Sequence, residues 1–133
     1  MFIHIDPHDG LAIYDQVVRQ IKFAVAAGVL KTGELVPSVR ELARQLTINP
    51  NTVTRAYRQL QDERVLDVVR GTGLAVTPRA AEQCRKQRLD MVRLRLRQVF
   101  MEAQRGGLST SELQQLSQEE LERASSRTKR SSS

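Results

Sequence analysis

The sequence predicts a mostly α-helical fold with one small β-hairpin, followed by two further helices at the C-terminus. Three segments have the apolar spacing of helices, two β-rich runs then flank a turn with two glycines, and a longer helical segment follows Pro78. Helix, helix, helix and hairpin, in that order, are typical of a winged helix-turn-helix, in which the hairpin forms the wing.

The first helix is predicted by apolar residues that share one face over the range Leu11–Val25. Those residues are Ile13, Val17, Ile21, Ala24 and Val25. Gly28 is a candidate C-cap, since glycine adopts the left-handed conformation that often ends a helix. The preceding segment, Phe2–Ile5, is either a short strand or a packed arm, and Pro7–Gly10 interrupts it.

Two short helices with matched apolar patterns follow. In each, apolar side chains lie at i, i+3, i+4 and i+7: Val39, Leu42, Ala43 and Leu46, then Val53, Ala56, Tyr57 and Leu60. Ser38 and Glu41 have the spacing of a capping box, which satisfies two backbone N–H groups reciprocally. Asn49 can cap the second helix, with Pro50 at its first position. Because only residues 47–48 intervene, the two helices must cross steeply, and the first helix covers them.

The wing is predicted from two β-rich runs, Val65–Val69 and Leu74–Thr77. Between them the chain reads Arg70-Gly71-Thr72-Gly73, whose glycines permit the positive φ angles of a tight hairpin. Pro78 ends the second strand, so we expect a first domain of residues 1–78.

The C-terminal part is predicted to be helical and self-associating, over residues 79–124. A long helix, roughly Ala80 to Gln104, ends at Gly106-Gly107, and a second helix follows a capping box at Ser109 and Glu112. Two helices with one apolar seam bury too little surface alone, so a dimerisation hairpin that forms a homodimer is expected. The candidate dimerisation residues are Leu89, Val92, Leu96, Val99, Phe100, Ala103, Leu113 and Leu116. The polar tail, residues 125–133, is expected to be disordered.

Composition excludes several classes of protein. The chain has 133 residues, a net charge of +6 and 4% aromatic residues, which favours a polyanionic partner but not base stacking on single strands. The charge is uneven: residues 1–78 carry nine Lys/Arg against eight Asp/Glu, and residues 79–133 carry twelve against seven. Without an apolar stretch of about 20 residues or an export signal, no membrane partner is expected and the location is cytoplasmic.

No catalytic, metal or cofactor site is expected. The sequence has no GxxxxGK[ST] or HExxH motif, and no nucleophile–base arrangement is recognisable. His4 and His8 with Asp6 and Asp9 lie on a segment that proline interrupts, which disfavours metal binding. Cys84 is the only cysteine, so it forms no intramolecular disulfide, and a redox role for it stays open.

The outer face of the helix that begins near Asn49 has the residues of a DNA-reading helix. With its apolar stripe turned inward, this face presents Asn51, Thr52, Thr54, Arg55, Arg58 and Gln59. Recognition helices of this class use their N-terminal residues on base edges in the major groove. Arg40, on the preceding helix, can reach a guanine edge in a bidentate geometry. We therefore expect double-stranded operator DNA as the partner.

The sequence resembles the GntR family of bacterial regulators, and most of all its YtrA-type branch. The resemblance covers residues 11–78 and is carried by the runs Ile13-Tyr14-Asp15-Gln16-Val17, Gly33-Glu34-Leu35-Val36-Pro37, Pro37-Ser38-Val39-Arg40-Glu41-Leu42-Ala43, Asn49-Pro50-Asn51-Thr52-Val53-Thr54-Arg55-Ala56-Tyr57 and Arg70-Gly71-Thr72-Gly73. It implies a homodimeric repressor of a pseudo-palindromic operator, with Arg40, the polar helix positions and the wing tip on DNA. It also implies a transport operon, including the regulator's own gene, as a target.

The candidate DNA-binding residues are taken from the outer face of this helix and from the family resemblance. They are Ser38, Arg40, Asn49, Asn51, Thr52, Thr54, Arg55, Arg58, Arg70, Gly71 and Thr72. Many relatives have arginine at the positions of Pro50 and Thr54, so their base contacts do not transfer, and Arg55 and Arg58 are candidates to compensate. The chain leaves no room for the family's effector domains, and a small-molecule effector is unknown.

Three rival interpretations remain. A sequence-indifferent architectural DNA-binding protein would need a basic surface without groove-reading polar side chains, which Asn51, Thr52 and Thr54 disfavour. The severed part of an aminotransferase-linked member of the family is disfavoured by the chain's own C-terminal helices. A protein-interaction module would use the long helix to bind a foreign partner instead of a second copy.

Overall fold

The structure, a computed structural model, describes residues 3–131 of the chain, and for residues 128–131 it describes only the helical backbone. Phe2, predicted to lie in a strand or arm, and residues 132–133 of the predicted tail lie outside the described residues. The chain divides into two compact units, residues 1–90 and 91–133.

The first unit is a three-helix cluster with a hairpin. Its elements are α1 (Ile13–Ala26), α2 (Val39–Leu46), α3 (Pro50–Asp62), β1 (Leu66–Val69), β2 (Gly73–Val76) and the beginning of α4 (Ala80–Arg105). The helical apolar stripes meet in one core, which contains Val17, Ile21, Val25, Leu42, Val53 and Leu60. The element order predicted from the sequence is confirmed. The C-cap of α1 is Ala27, and Gly28, the candidate C-cap, is the next residue, in the left-handed conformation at φ 79°.

The start of α4 belongs to the first unit, which corrects the boundary expected at Pro78. Ala80 and Cys84 are 0% and 1% exposed and lie in the core. The Gln83 side chain donates to the carbonyl of Glu63, just past α3, at 3.3 Å. Proline ends the strand, but it does not end the packing, because the helix that follows still has an apolar face to bury.

The wing has one more pairing than the sequence predicted. β1 and β2 pair antiparallel, with Leu66 opposite Val76 and Val69 opposite Gly73. Leu35, in the segment between α1 and α2, forms an isolated antiparallel bridge with Ala75 on the other edge of β2. The chain before α2 is therefore fastened to the wing.

The N-terminal arm is held by two glutamines of α1. The Gln16 amide accepts from the backbone N–H of Asp6 and donates to its carbonyl, both at 2.8 Å. Gln20 pairs in the same way with His4, at 2.6 Å in each direction. Four helical residues advance by about 6 Å and two extended residues by about 6.6 Å, so the two spacings match. The arm is thus a packed segment, with Ile3 buried in the core.

The second unit contains the rest of α4 and α5 (Thr110–Ser131). Gly107, at φ 95°, lies between them, and the capping box predicted at Ser109 is complete. Glu112 N donates to Ser109 Oγ at 3.1 Å, and Ser109 N donates to the Glu112 carboxylate at 3.0 Å. Hydrogen bonds from the backbone N–H and the side chain of Ser109 lower the pKa of Glu112, because they stabilise its charged carboxylate.

The tail does not match the expected disorder from residue 125. α5 continues to Ser131. No glycine or proline interrupts residues 125–131, and extending a helix that is already nucleated costs far less than starting one.

Two further kinds of feature are absent from the described residues. In residues 3–131, no helix is both long and apolar enough to cross a membrane. The same part of the chain contains no group of three His, Cys, Asp or Glu side chains that is arranged to hold a metal ion.

Candidate nucleic-acid interface

The α2–turn–α3 unit is defined by its caps. Ser38 Oγ accepts from the backbone N–H of Glu41 at 3.2 Å and donates to the Glu41 carboxylate at 3.1 Å. This differs from the predicted reciprocal box, since the carboxylate engages the hydroxyl. Asn49 Oδ1 accepts from the N–H of Asn51 at 2.8 Å, with Pro50 at the first position, as predicted.

The turn between the helices contains a strained residue. Thr47 has φ 55° and ψ 51°, the left-handed region that β-branched residues avoid. Its N–H and that of Ile48 bond back to the carbonyls of Arg44 and Ala43, at 3.3 Å and 3.0 Å. The reversal at Thr47 leaves only three residues between the end of α2 at Leu46 and the start of α3 at Pro50, which sets the crossing of the two helices.

The orientation of α3 follows from its buried stripe. Val53, Ala56, Tyr57 and Leu60 are buried. At 100° per residue, the face of α3 opposite this stripe contains four residues, all of them exposed: Asn51, Arg55, Arg58 and Asp62. Thr52 and Thr54 flank them and are half-buried. The polar face predicted for DNA contact is therefore on the surface.

Tyr57 connects the buried stripe to the chain before α2. Its hydroxyl donates to the carbonyl of Pro37 at 2.8 Å. Burial raises the pKa of Tyr57, and the negative charge of Glu41 adds to the rise, so the phenol stays protonated as a donor. This bond fixes the start of α2, and with it Arg40, relative to α3.

The candidate DNA-binding residues differ in how free their side chains are. Ser38 and Asn49 use their oxygens in the caps, and the Thr54 hydroxyl donates to the carbonyl of Pro50 at 3.1 Å. Arg40 and Arg58 are exposed. The caps therefore leave the arginines as the freest donors, and Ser38 and Asn49 act first on helix geometry.

Arg55 has a partner that sequence reasoning missed. Its guanidinium lies over the ring of Tyr14 in α1, with the Arg55 Cζ 3.7 Å from the ring centroid. The two residues are 41 positions apart, so no local pattern indicates the contact. Only the packing of α1 against α3 brings them together.

The wing tip is exposed at Arg70, Gly71 and Thr72. The Thr72 N–H bonds to the carbonyl of Val69 at 2.9 Å and closes a turn in which Gly71 has φ 76°. A side chain at Gly71 would strain this turn, so glycine is required for its shape. The turn leaves the Arg70 side chain in solvent.

The candidate dimerisation residues are mostly exposed within one chain. The exposed fraction lies between 36% and 58% for Leu89, Val92, Leu96, Val99, Phe100 and Leu116. Ala103 is half-buried and Leu113 is buried, where Leu113 lines a cleft with Phe100 and Leu121. The chain itself covers little of this apolar surface.

Cys84 is buried in the core of the first unit, and burial raises the pKa of its thiol. The nearby Lys22 opposes this rise and Glu63 adds to it; these two side chains form an ion pair between α1 and the end of α3. A raised pKa leaves little thiolate at neutral pH, which disfavours a reactive thiol.

Comparison with known proteins places this geometry among bacterial regulators. The family described as "Bacterial regulatory proteins, gntR family" matches residues 13–76. The HTH-type transcriptional repressor YtrA of Bacillus subtilis is 34% identical over 111 residues, which cover 84% of this chain and 85% of that protein.

Two solved structures are similar as well. A GntR family transcriptional regulator from Listeria monocytogenes is 30% identical, with a TM-score of 0.70, over 86% of this chain and 98% of that one. AraR(DBD), in complex with operator ORX1, is 25% identical, with a TM-score of 0.50, over 56% of this chain and 92% of that one.

Proposed function

This chain belongs to the GntR family of transcriptional regulators, and from that premise we propose that it is a homodimeric repressor that binds a pseudo-palindromic operator. The observation that carries the proposal is the capped helix α3, on which Asn51 and Arg58 are exposed directly opposite the buried stripe. A helix held in this way can enter a major groove with its first turns toward the bases.

Base reading belongs to α3 and to Arg40 in this proposal. Asn51, Thr52 and Thr54 are short polar side chains at the start of α3, where a recognition helix approaches base edges. Arg40 is exposed one residue inside α2, whose position the Tyr57–Pro37 bond fixes. A bidentate arginine–guanine contact discriminates against a wrong base by about 1–3 kcal/mol.

In this proposal, the wing contacts the DNA beside the major groove. Arg70 is an exposed cation at the tip of a hairpin, beside the glycine turn that brings the main chain close to any surface it meets. We assign Arg70, Gly71 and Thr72 to the neighbouring minor groove or its phosphates. Such contacts position the domain without reading sequence.

Dimerisation follows from the apolar seam of α4 and α5. Side chains such as Leu96 and Val99 are more than half exposed in one chain, and a second copy would cover them. Two winged domains on one dimer can bind half-sites about one helical turn, ~34 Å, or a multiple apart. Linkage raises the effective concentration of the second domain, so the full operator is bound far more tightly than half of it.

The regulatory outcome rests on relatives. The YtrA of Bacillus subtilis is named as a repressor. We propose repression by occupancy of promoter DNA in the cytoplasm, with a transport operon that includes the regulator's own gene as the target. No small-molecule effector is assigned.

A nuclease footprint on the DNA upstream of the gene tests the proposal. We expect a protected, pseudo-palindromic site with two half-sites. Arg40→Ala should weaken binding to this site by about 1–3 kcal/mol and relax one base position, while binding to random DNA changes little. Equal affinity of the unaltered protein for the protected site and for random DNA would instead identify an architectural protein.

Thr52→Ala tests whether a residue at the start of α3 contributes to operator binding without contributing to folding. The Thr52 side chain lies off the buried stripe of α3, so we expect weaker operator binding with an unchanged melting temperature. A large drop in melting temperature would show that Thr52 supports the fold, and it would be removed from the base-reading set.

A further inference from the structure

The stack of Arg55 on Tyr14 is the feature of the α3 surface that the proposed function does not use. The Arg55 side chain is exposed, and its guanidinium lies 3.7 Å from the centroid of a tyrosine ring on another helix. A guanidinium over an aromatic face is held by the negative charge of the ring face. An arginine side chain loses much rotational freedom when it binds. A stack that already forms in the free protein orders the Arg55 side chain beforehand and so lowers the entropy cost of binding.

The contact with Tyr14 distinguishes Arg55 from the other residues on the outer face of α3. Arg55 shares the outermost stripe of α3 with Asn51 and Arg58, directly opposite the buried residues. The contact with Tyr14 draws the Arg55 guanidinium sideways, toward the beginning of α1. Asn51 and Arg58 have no such partner on α1 among the described hydrogen bonds and ring contacts, and they remain at the centre of the face.

We propose that Tyr14 is a positioning residue that holds the Arg55 guanidinium as a clamp for a DNA phosphate at the edge of the major groove. This inference rests on the proposed function, since it requires α3 to face DNA. It assigns Arg55 to the backbone and leaves base reading to the other polar residues of α3.

Phosphate fits this geometry better than a base edge does. Stacking occupies one face of the guanidinium and leaves the N–H groups on its rim free, in the fork that matches two phosphate oxygens. Asp62 lines the same surface depression, yet neither of the ion pairs among the described residues involves Arg55. α1 also starts without a side-chain cap at Ala12, which leaves first-turn amides open to an anion, although Asp15 opposes this attraction.

Four variants of the full-length protein test the proposal: Arg55→Ala, Tyr14→Leu, Tyr14→Phe and the double variant Tyr14→Leu/Arg55→Ala. Operator and random-DNA affinities are measured across a salt series. Each phosphate contact changes the slope of log K against log salt by about 0.9, which is about tenfold in affinity between 1 M and 0.1 M salt. We therefore expect Arg55→Ala to lose about tenfold at 0.1 M salt, equally on both DNAs, with a slope smaller by about one.

The tyrosine variants identify the positioning role. Tyr14→Leu keeps apolar bulk but removes the ring, so it should lose roughly threefold to tenfold and add little in the double variant. Tyr14→Phe keeps the ring face and should bind within about twofold of the unaltered protein. The melting temperature of each variant shows whether it folds. The ring-current shift of the Arg55 side chain in NMR spectra shows whether the stack is present in the variants that retain Arg55.

Three results would overturn the inference. They are a loss for Arg55→Ala on the operator alone, additive losses in the double variant, and an equal loss for Tyr14→Phe and Tyr14→Leu. If the unaltered protein shows no operator preference, the proposed function fails. If the preference is present and Tyr14→Leu binds normally, only the positioning role fails.

Discussion

At the residue scale, Gln16 is the buried polar group on which the N-terminal arm depends. Its amide is 3% exposed and also donates to the carbonyl of Leu11 at 3.1 Å, so all its hydrogen bonds go to backbone groups. Gln20 makes the equivalent pair with His4 at an exposed position. The two glutamines take the place of a neighbouring strand.

Gln16→Leu should therefore destabilise the protein much more than Gln20→Leu. The first change leaves backbone groups of Asp6 and Leu11 unpaired in a partly buried place, which costs about 2 kcal/mol. In the second, water replaces the lost bonds, and the cost should stay below about 1 kcal/mol. Urea denaturation of both variants measures the difference in the free energy of unfolding. Equal losses of stability would show that burial does not strengthen the contribution of the Gln16 hydrogen bonds.

Thr47 is the second residue whose backbone decides local geometry. Its left-handed conformation costs a residue with a side chain about 1–2 kcal/mol, whereas glycine adopts it freely but loses about 0.5–1 kcal/mol through its more flexible unfolded state. Thr47→Gly should thus raise the free energy of unfolding by about 0.5–1 kcal/mol. Thr47→Ala keeps the strain and serves as the control. A gain in the alanine variant equal to that in the glycine variant would locate the effect in the side chain.

At the element scale, the wing is a hairpin held at both edges of β2. Its inner part packs through Leu66 and Val76, which are 1% and 2% exposed, while Val68, Val69 and Arg70 remain on the surface. The hairpin is therefore anchored at its base and free at its tip. This arrangement suits a contact that positions a domain on DNA.

Arg70→Ala should reduce affinity without affecting the fold. Losing one phosphate contact lowers the slope of log K against log salt by about 0.9. The loss should be the same on operator and random DNA, and the melting temperature should not change, because Arg70 is exposed. An unchanged slope and affinity would remove the wing from the interface.

At the scale of the whole molecule, α4 belongs to both units. Its first turns bury Ala80 and Cys84 in the winged domain, and its later turns carry the apolar seam. We therefore expect a change in the first turns to affect folding, and a change in the later turns to affect the proposed dimerisation.

Two truncations separate these roles. A chain that ends after Asp90 keeps the buried turns and should be a folded monomer with weak, poorly selective DNA binding. A chain that ends after Pro78 loses the burial of Ala80 and Cys84 and should be less stable by about 2 kcal/mol. Thermal denaturation and sedimentation measure both. Equal stability of the two would return the boundary to Pro78.

Leu96→Glu and Val99→Glu test the seam in the full-length chain. Each would place an unpaired charge in the proposed dimer interface, and we expect monomers that bind the full operator no better than a half-site. Leu94→Glu is the matched control, since Leu94 is 51% exposed but points away from the Leu96 side of α4 at 100° per residue. A dimer that survives at Leu96→Glu and dissociates at Leu94→Glu would assign the interface to the other face.

The sequence by itself determined the features that depend on neighbours within a few positions. The caps at Ser38, Asn49 and Ser109, the turn at Gly71 and the order of the elements follow from local hydrogen bonding, glycine geometry and apolar spacing. From the same local signals, the polar face of α3 and its membership in a DNA-reading unit could be predicted.

Only the tertiary structure decided the contacts between residues far apart in the chain. The stack of Arg55 on Tyr14, the pairing of Gln16 with Asp6 and the burial of Cys84 depend on how whole helices and segments pack. An arginine on the surface of a helix has the same local pattern whether it points into solvent or lies on a ring of another helix. The packing of α1 against α3 resolves that choice, because it alone sets which side chains lie within a few ångströms of each other.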